Sequence, residues 1–158
     1  MPEQYLTSLA VSNPQFFQVE QSLFFCGGYT VSDINQPAFN TTSNNFFKID
    51  LDKLISYAKN NGNGPTLNEI FPLVLQDTFV RVTGGEMVVV NNRFFIIGGQ
   101  DFEGKYSPGA TGNYTNAIRC FELIQNGNLW TITNKKTITD PVNLHRRDFN
   151  LVPYITSD

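Results

Sequence analysis

Residues 17–28 and 88–99 of this chain align without a gap at a spacing of 71. Phe17-Gln18-Val19-Glu20-Gln21-Ser22-Leu23-Phe24-Phe25-Cys26-Gly27-Gly28 lies over Val88-Val89-Val90-Asn91-Asn92-Arg93-Phe94-Phe95-Ile96-Ile97-Gly98-Gly99. Each copy reads as a strand, a two-residue turn, a second strand and a double glycine. Asn91-Asn92 suits a tight hairpin because asparagine adopts positive φ more cheaply than most residues. Glu20-Gln21 is a poorer turn. A chain that repeats one supersecondary unit buries each copy against the next, so this feature constrains the fold more than any other.

The repeat extends downstream. Asn44-Asn45-Phe46-Phe47-Lys48-Ile49-Asp50-Leu51 lies over Asn116-Ala117-Ile118-Arg119-Cys120-Phe121-Glu122-Leu123 at a spacing of 72, which predicts a third strand after each glycine pair. In the second copy Gln125-Asn126-Gly127-Asn128 makes a turn and Leu129-Trp130-Thr131-Ile132-Thr133 a fourth strand rich in β-formers. In the first copy Leu51, Leu54, Ile55 and Ala58 recur at helical spacing behind Asp50, an N-cap, and the run stops at Asn60-Asn61-Gly62. A short inserted helix is expected there, then a loop through Asn63-Gly64-Pro65, with the fourth strand resuming near Leu67 to Phe71. Met87-Val88-Val89-Val90 and Phe94-Phe95-Ile96-Ile97 are continuously apolar, so both faces of those strands are expected to be covered, as in stacked sheets.

Composition agrees with an all-β class. The chain has 158 residues, 41% hydrophobic and 16% charged, which suits one domain with its own core. Its 14 Phe and 6 Tyr favour pleated, half-buried surfaces. Eleven Lys and Arg against 14 Asp and Glu give a formal charge of −3, which lacks the basic footprint that nucleic acid requires. No apolar run nears the roughly 18 residues of a membrane span, and Met1-Pro2-Glu3-Gln4 carries no positively charged leader region. Cys26 and Cys120 lie in apolar surroundings without metal-type spacing, and read as buried free thiols or, alternatively, as a disulfide. The sequons at Asn40-Thr41-Thr42 and Asn113-Tyr114-Thr115 fall in expected loops.

A hairpin, a double glycine, an aromatic third strand and a tryptophan in the fourth resemble the kelch repeat of β-propellers. The residues carrying the resemblance are Gly27, Gly28, Gly98 and Gly99, then Ile49-Asp50 and Phe121-Glu122 where the family has Tyr-Asp, and Trp130. Arg81 and Arg146 or Arg147 stand where the family often has an arginine leading into the innermost strand. The copies are longer than the roughly 50 residues usual for kelch, Ile49 replaces tyrosine, and the first copy has no evident tryptophan. The resemblance implies an all-β fold of kelch-like β-propeller blades, each a four-stranded antiparallel sheet, in an incomplete ring with one short inserted helix. Blade one would span residues 13–75 and blade two 81–135, with a third beginning at 146–158 and Leu151 to Ile155 on its innermost strand. Propellers close with 4–8 blades. Open, apolar blade flanks are therefore expected to take further blades from a longer chain or to self-associate.

Catalytic motifs are sparse. His145 is the only histidine, so a Ser-His-Asp arrangement has one possible base, and no G-x-S-x-G, H-E-x-x-H or phosphate-binding glycine loop occurs. Neither a metal site nor a cofactor is expected from one histidine and two distant cysteines. The more promising feature is positional. In a four-stranded antiparallel sheet, the loop after the second strand and the connection into the next sheet leave from the same end. Tyr29–Ser43 and Gln100–Thr115 are thus expected to share one face with Arg81, His145 and Arg146. Tyr29, Asp33, Asn35, Gln100, Asp101, Phe102, Glu103 and Tyr106 on those loops combine aromatic area with amide and carboxylate hydrogen bonding. The expected function, as kelch resemblance implies, is a non-catalytic binding module that recognises a protein or glycan partner through this face. The alternatives are a segment of a carbohydrate-acting kelch-like enzyme whose catalytic groups lie elsewhere, and a structural unit that assembles through its blade flanks.

Overall fold

Strands form where the sequence repeats. The computed structural model describes residues 9–31, 33, 35–110, 112–127, 129–152 and 154. The first repeat and its long loop contain β1 (Gln15–Val19), β2 (Ser22–Cys26), β3 (Tyr29–Val31), β4 (Phe39–Thr42) and β5 (Asn45–Asp50). Helices α1 (Leu51–Lys59) and α2 (Leu67–Ile70) precede β6 (Leu73–Gln76). The second repeat contains β7 (Glu86–Val90), β8 (Arg93–Ile97), β9 (Gln100–Asp101), β10 (Glu103–Lys105), β11 (Asn113–Tyr114), β12 (Ala117–Asn126) and β13 (Leu129–Thr139).

Two antiparallel four-stranded sheets carry the architecture, sheet one in the order β1-β2-β5-β6 and sheet two in the order β7-β8-β12-β13. Both follow chain order, which is the meander expected from the repeat. Their hairpins share one register, Val19 opposite Ser22 and Val90 opposite Arg93. Asn91 and Asn92 take φ of 50° and 61°, matching strand twist as a two-residue hairpin turn requires. In the first hairpin Glu20 itself takes φ of 50°, a conformation costlier for glutamate than for asparagine.

The sheets stack face to face with β1 beside β7 and β13 near β6. Phe46, Met87, Phe94, Ile96 and Phe121 bury between them, joined by Cys26, Leu73 and Val82. Phe94 and Phe121 stack at 5.2 Å, and Phe46 meets both edge-on. Of the two faces of β7 and β8 expected to be covered, only the one carrying Met87, Phe94 and Ile96 is buried. Val88, Phe95 and Ile97 on the other are partly exposed and Val90 is 51% exposed, because no second sheet lies against that face among the described residues. Arg119 also points into the interface from the position equivalent to Phe47, and its Nη1 donates to the Phe79 carbonyl at 2.9 Å. Burial lowers the pKa of this guanidinium from its ordinary value.

The inserted helix lies where its pattern placed it. Asp50 caps α1, accepting from the Lys53 N–H at 3.1 Å, and the chain leaves the helix through Asn61 and Gly62 at positive φ. The expected fourth strand at Leu67–Phe71 is displaced. Residues 67–70 form α2, because Thr66 and Glu69 make a capping box, and β6 follows at Leu73–Gln76. The fourth strand of sheet two runs on to Thr139, beyond Thr133, and its pairing with β12 shifts register between Cys120 and Glu122.

Two further expectations need correction. Helices α1 and α2 pack on β5 and cover the face of sheet one turned away from sheet two, so one of the two flanks expected to be open is closed. Leu151, Val152 and Tyr154 are exposed and lie in no strand, whereas Pro153 and Ile155 fall outside the described residues. An innermost strand there has no second strand of its own to pair with among the described residues. Cys26 and Cys120 are both free and buried, and burial raises the Cys26 thiol far above its ordinary pKa. The disulfide alternative is thereby excluded.

Candidate binding face

Each glycine pair ends a strand and sends the chain into a long loop. Gly27 takes φ of 66°, and a Cβ added there would lie 1.9 Å from the Val82 carbonyl oxygen, so only glycine fits. The two long loops then meet. Strands β3 and β4 from the first pair with β10 from the second in one three-stranded sheet, order β10-β4-β3. The Thr42 hydroxyl accepts from the Phe102 N–H at 2.7 Å and fastens the two loops. The two long loops are therefore joined by strand pairing into one surface.

Aromatic rings gather on it. Tyr29 meets Phe102 and Tyr106 edge-to-face at 5.6 Å and 5.8 Å. Phe102 is buried and supports the other two, whereas Tyr106 is 57% exposed. Tyr29 and Tyr106 line a shallow cavity of about 340 Å³ with Ser12, Asn13 and Asn40. Gln100 is fully buried; its Nε2 donates to the Tyr29 hydroxyl at 2.7 Å and its Oε1 accepts from the Gly112 N–H at 2.9 Å. It positions Tyr29 from beneath and offers nothing to a ligand.

Arg81 organises a second cavity of about 270 Å³, lined also by Asp101, Glu103, Gly112 and Asn113. Its guanidinium lies 2.9 Å from Asp101 and 3.2 Å from Glu103, and donates to the Thr41 hydroxyl at 3.1 Å. One arginine thus occupies both carboxylates and ties the loops together. Asp33 and Asn35 stand apart at an exposed loop tip, where the Asn35 N–H and the Gln36 amide hold the Asp33 carboxyl below its ordinary pKa.

His145 and Arg146 are exposed and make contacts within the scaffold. The imidazole stacks on Tyr114 at 3.9 Å and its Nδ1 lies 2.8 Å from Asn116 Oδ1. Arg146 donates from Nε to the Asn143 carbonyl, and its own carbonyl accepts from Gly99. Ser12 and Asn13 line the larger cavity but have no motif to mark them, and Asn40, which also lines it, is marked only as the asparagine of a sequon. Arg147, one of the two candidates for the arginine leading into a third innermost strand, reaches the Tyr29 hydroxyl at 3.4 Å. Phe121 and Trp130 pack in the core between the sheets.

Among the described residues no three His, Cys, Asp or Glu side chains gather into a metal-binding group, and no helix is long and apolar enough to cross a membrane. Compared with known proteins, the chain matches no family model and no curated protein.

Proposed function

We propose that the two sheets are kelch-type propeller blades and that the joined loop face is a non-catalytic glycan-binding surface. The observation that carries this reading is the cavity beside Tyr29 and Tyr106, whose remaining walls are Ser12, Asn13 and Asn40. Sugars present flat C–H faces that settle on aromatic rings, and hydroxyl groups that exchange hydrogen bonds with amides and serine hydroxyls. The cavity volume, about 340 Å³, fits one or two sugar units. Tyr29 is held by Gln100 and Arg147, so binding need not order it. Acid–base catalysis finds less support, because Asp101 and Glu103 are both engaged by Arg81.

A glycan array followed by titration calorimetry on its best ligand tests this reading. Tyr106→Ala should weaken binding at least about tenfold, the effect of losing roughly 1.4 kcal/mol, while leaving the circular dichroism unchanged. Asp33→Ala, at the separate loop tip, should leave affinity within about twofold. No glycan bound at millimolar concentration, with a protein captured through Tyr106 instead, would replace the glycan by a protein partner.

A further inference from the structure

Strands β1, β2 and β5 of sheet one correspond to β7, β8 and the first half of β12 in sheet two, yet their corresponding faces have different fates. In sheet one, Phe17, Phe24, Cys26 and Phe46 face sheet two and join the buried core between the sheets. Their counterparts in sheet two, 71 or 72 positions on, are Val88, Phe95, Ile97 and Ile118. All four are apolar and none is fully buried. Val90 and Ile138, on the same side by strand alternation, are 51% and 62% exposed. This is the sheet-one docking face written again, without its occupant.

The lead-in to that occupant is already seated. Between sheets one and two, the Gly28 N–H donates to the Val82 carbonyl and Gly84 donates to Asn13. One repeat on, the Gly99 N–H donates to the Arg146 carbonyl and Asp148 donates to Gly84. Asn13, Gly84 and Asp148 all take positive φ, at 55°, 68° and 54°. The Phe149 ring and the Arg146 carbonyl crowd Gly98 as the Val82 carbonyl crowds Gly27. Residues 146–149 therefore repeat on sheet two the approach that residues 82–85 make on sheet one.

The other end of the stack is closed. Phe25, Phe47 and Ile49 of sheet one bury against Ile70, Leu54, Tyr57 and Leu67 of the two helices and their flanks. Their counterparts in sheet two, Ile96, Arg119 and Phe121, are the residues turned toward sheet one. Helices α1 and α2 thus stand where a preceding sheet would stand.

We infer that the outer face of sheet two seats a further four-stranded antiparallel sheet of this same kind, led in by residues 146–149, and that α1 and α2 occupy the matching seat on sheet one, so the stack is extended from one end only. The inference rests on the blade reading proposed above but not on its ligand. It makes α1 and α2 a terminal cap, so the kelch-type blades form an open stack in place of the closed propeller ring that the resemblance implies.

Two extended chains test it. One carries residues 1–149 followed by a second copy of 86–140; the other places a copy of 84–145 ahead of Val11. Thiol labelling of Val90→Cys should slow at least tenfold in the first, and Ile118→Lys should restore the rate. Labelling of Leu54→Cys, on the cap, should be unchanged in the second. A folded first chain with unchanged Val90→Cys labelling overturns the seat, and faster Leu54→Cys labelling in the second overturns the cap. In the 158-residue chain, a hydrophobic dye should bind and should be lost in the Val88→Lys/Ile118→Lys variant; no dye binding by the parent also overturns the seat. Glycan titrations on the same proteins keep the two readings apart: lost binding with the expected labelling removes only the ligand, and intact binding with unchanged labelling removes only the seat.

Discussion

The backbone N–H of Gly28 donates to the carbonyl of Val82 at 2.9 Å, and that carbonyl also lies against the vacant Cβ position of Gly27. The glycine pair is therefore the joint between the sheets as well as the turn into the loop. Gly27→Ala should destabilise the protein by well over about 2 kcal/mol, since it combines a left-handed backbone with a backbone collision. Gly127→Ala, at φ of 61° with nothing within 4 Å, should cost only about 1 kcal/mol. Urea denaturation of the two variants checks the contrast, and equal losses would remove the joint.

Gln15 closes the same junction from the side. Its amide is buried between the Val82 carbonyl and the N–H groups of Gly84 and Gly85; oriented to match them, it donates at 2.9 Å and accepts at 3.1 Å and 3.2 Å. Gln15→Leu should cost about 1–3 kcal/mol, because the N–H groups of buried Gly84 and half-buried Gly85 lose the acceptor they share. Gln15→Glu should be more harmful at pH 7 than at pH 4, where a protonated carboxyl can again donate toward Val82. Thermal melts at the two pH values decide it.

The legible part of the fold was the part set by local chemistry. Paired asparagines made a hairpin, Asp50 capped a helix, and the two glycine pairs marked strand ends. The strand expected over Leu67–Phe71 gave way to a helix because Leu67, Ile70 and Phe71 lie at helical spacing and the Thr66–Glu69 capping box satisfies helix-end donors within one turn. Strand β13 outran its apolar pattern since its later residues, Lys135 to Thr139, are held by pairing with β12 and face water. Helical spacing at Leu54 and Ala58 gave an apolar stripe but not the sheet face it would cover, which depends on the path of the whole chain. The candidate face was legible as a set of loops. It was not legible that Gln100 and Phe102 would be buried beneath it, nor that Asn13 and Asn40 would flank Tyr29.

Asp50 links sheet one to its helical cover, since it ends β5 and caps α1. Asp50→Ala should remove about 0.5–2 kcal/mol. Fraying should be local: amide exchange should accelerate in α1 while the pairs between β7 and β8 keep their protection. Exchange rising equally in both sheets would show that the helices are integral to the core between them.

Arg81 holds Asp101, Glu103 and Thr41 at once, so its loss acts on several loop contacts together. Its side chain is about a third exposed, which limits each pair to the modest value of partly screened ions. Arg81→Met should lower stability by about 1 kcal/mol in low salt and by less in 1 M salt. Stability equal at both salt concentrations would assign the loss to packing of the arginine stem.

Glu86 stands in sheet two at the position of Gln15, and partial burial raises its carboxyl above the ordinary value of 4.5. The unfolded chain then releases its proton at lower pH than the folded protein does. Between the two pKa values the native state binds more protons, so stability falls as pH rises through that window and is level above it. Glu86→Gln should flatten this slope and make the protein more stable at pH 7, while leaving it unchanged well below pH 4. The comparison is read from denaturant midpoints across pH 3–8. A slope identical in the variant would assign the acid dependence to other carboxylates, of which Asp33, Glu69 and Asp140 contribute with the opposite sign because hydrogen bonds lower their pKa values.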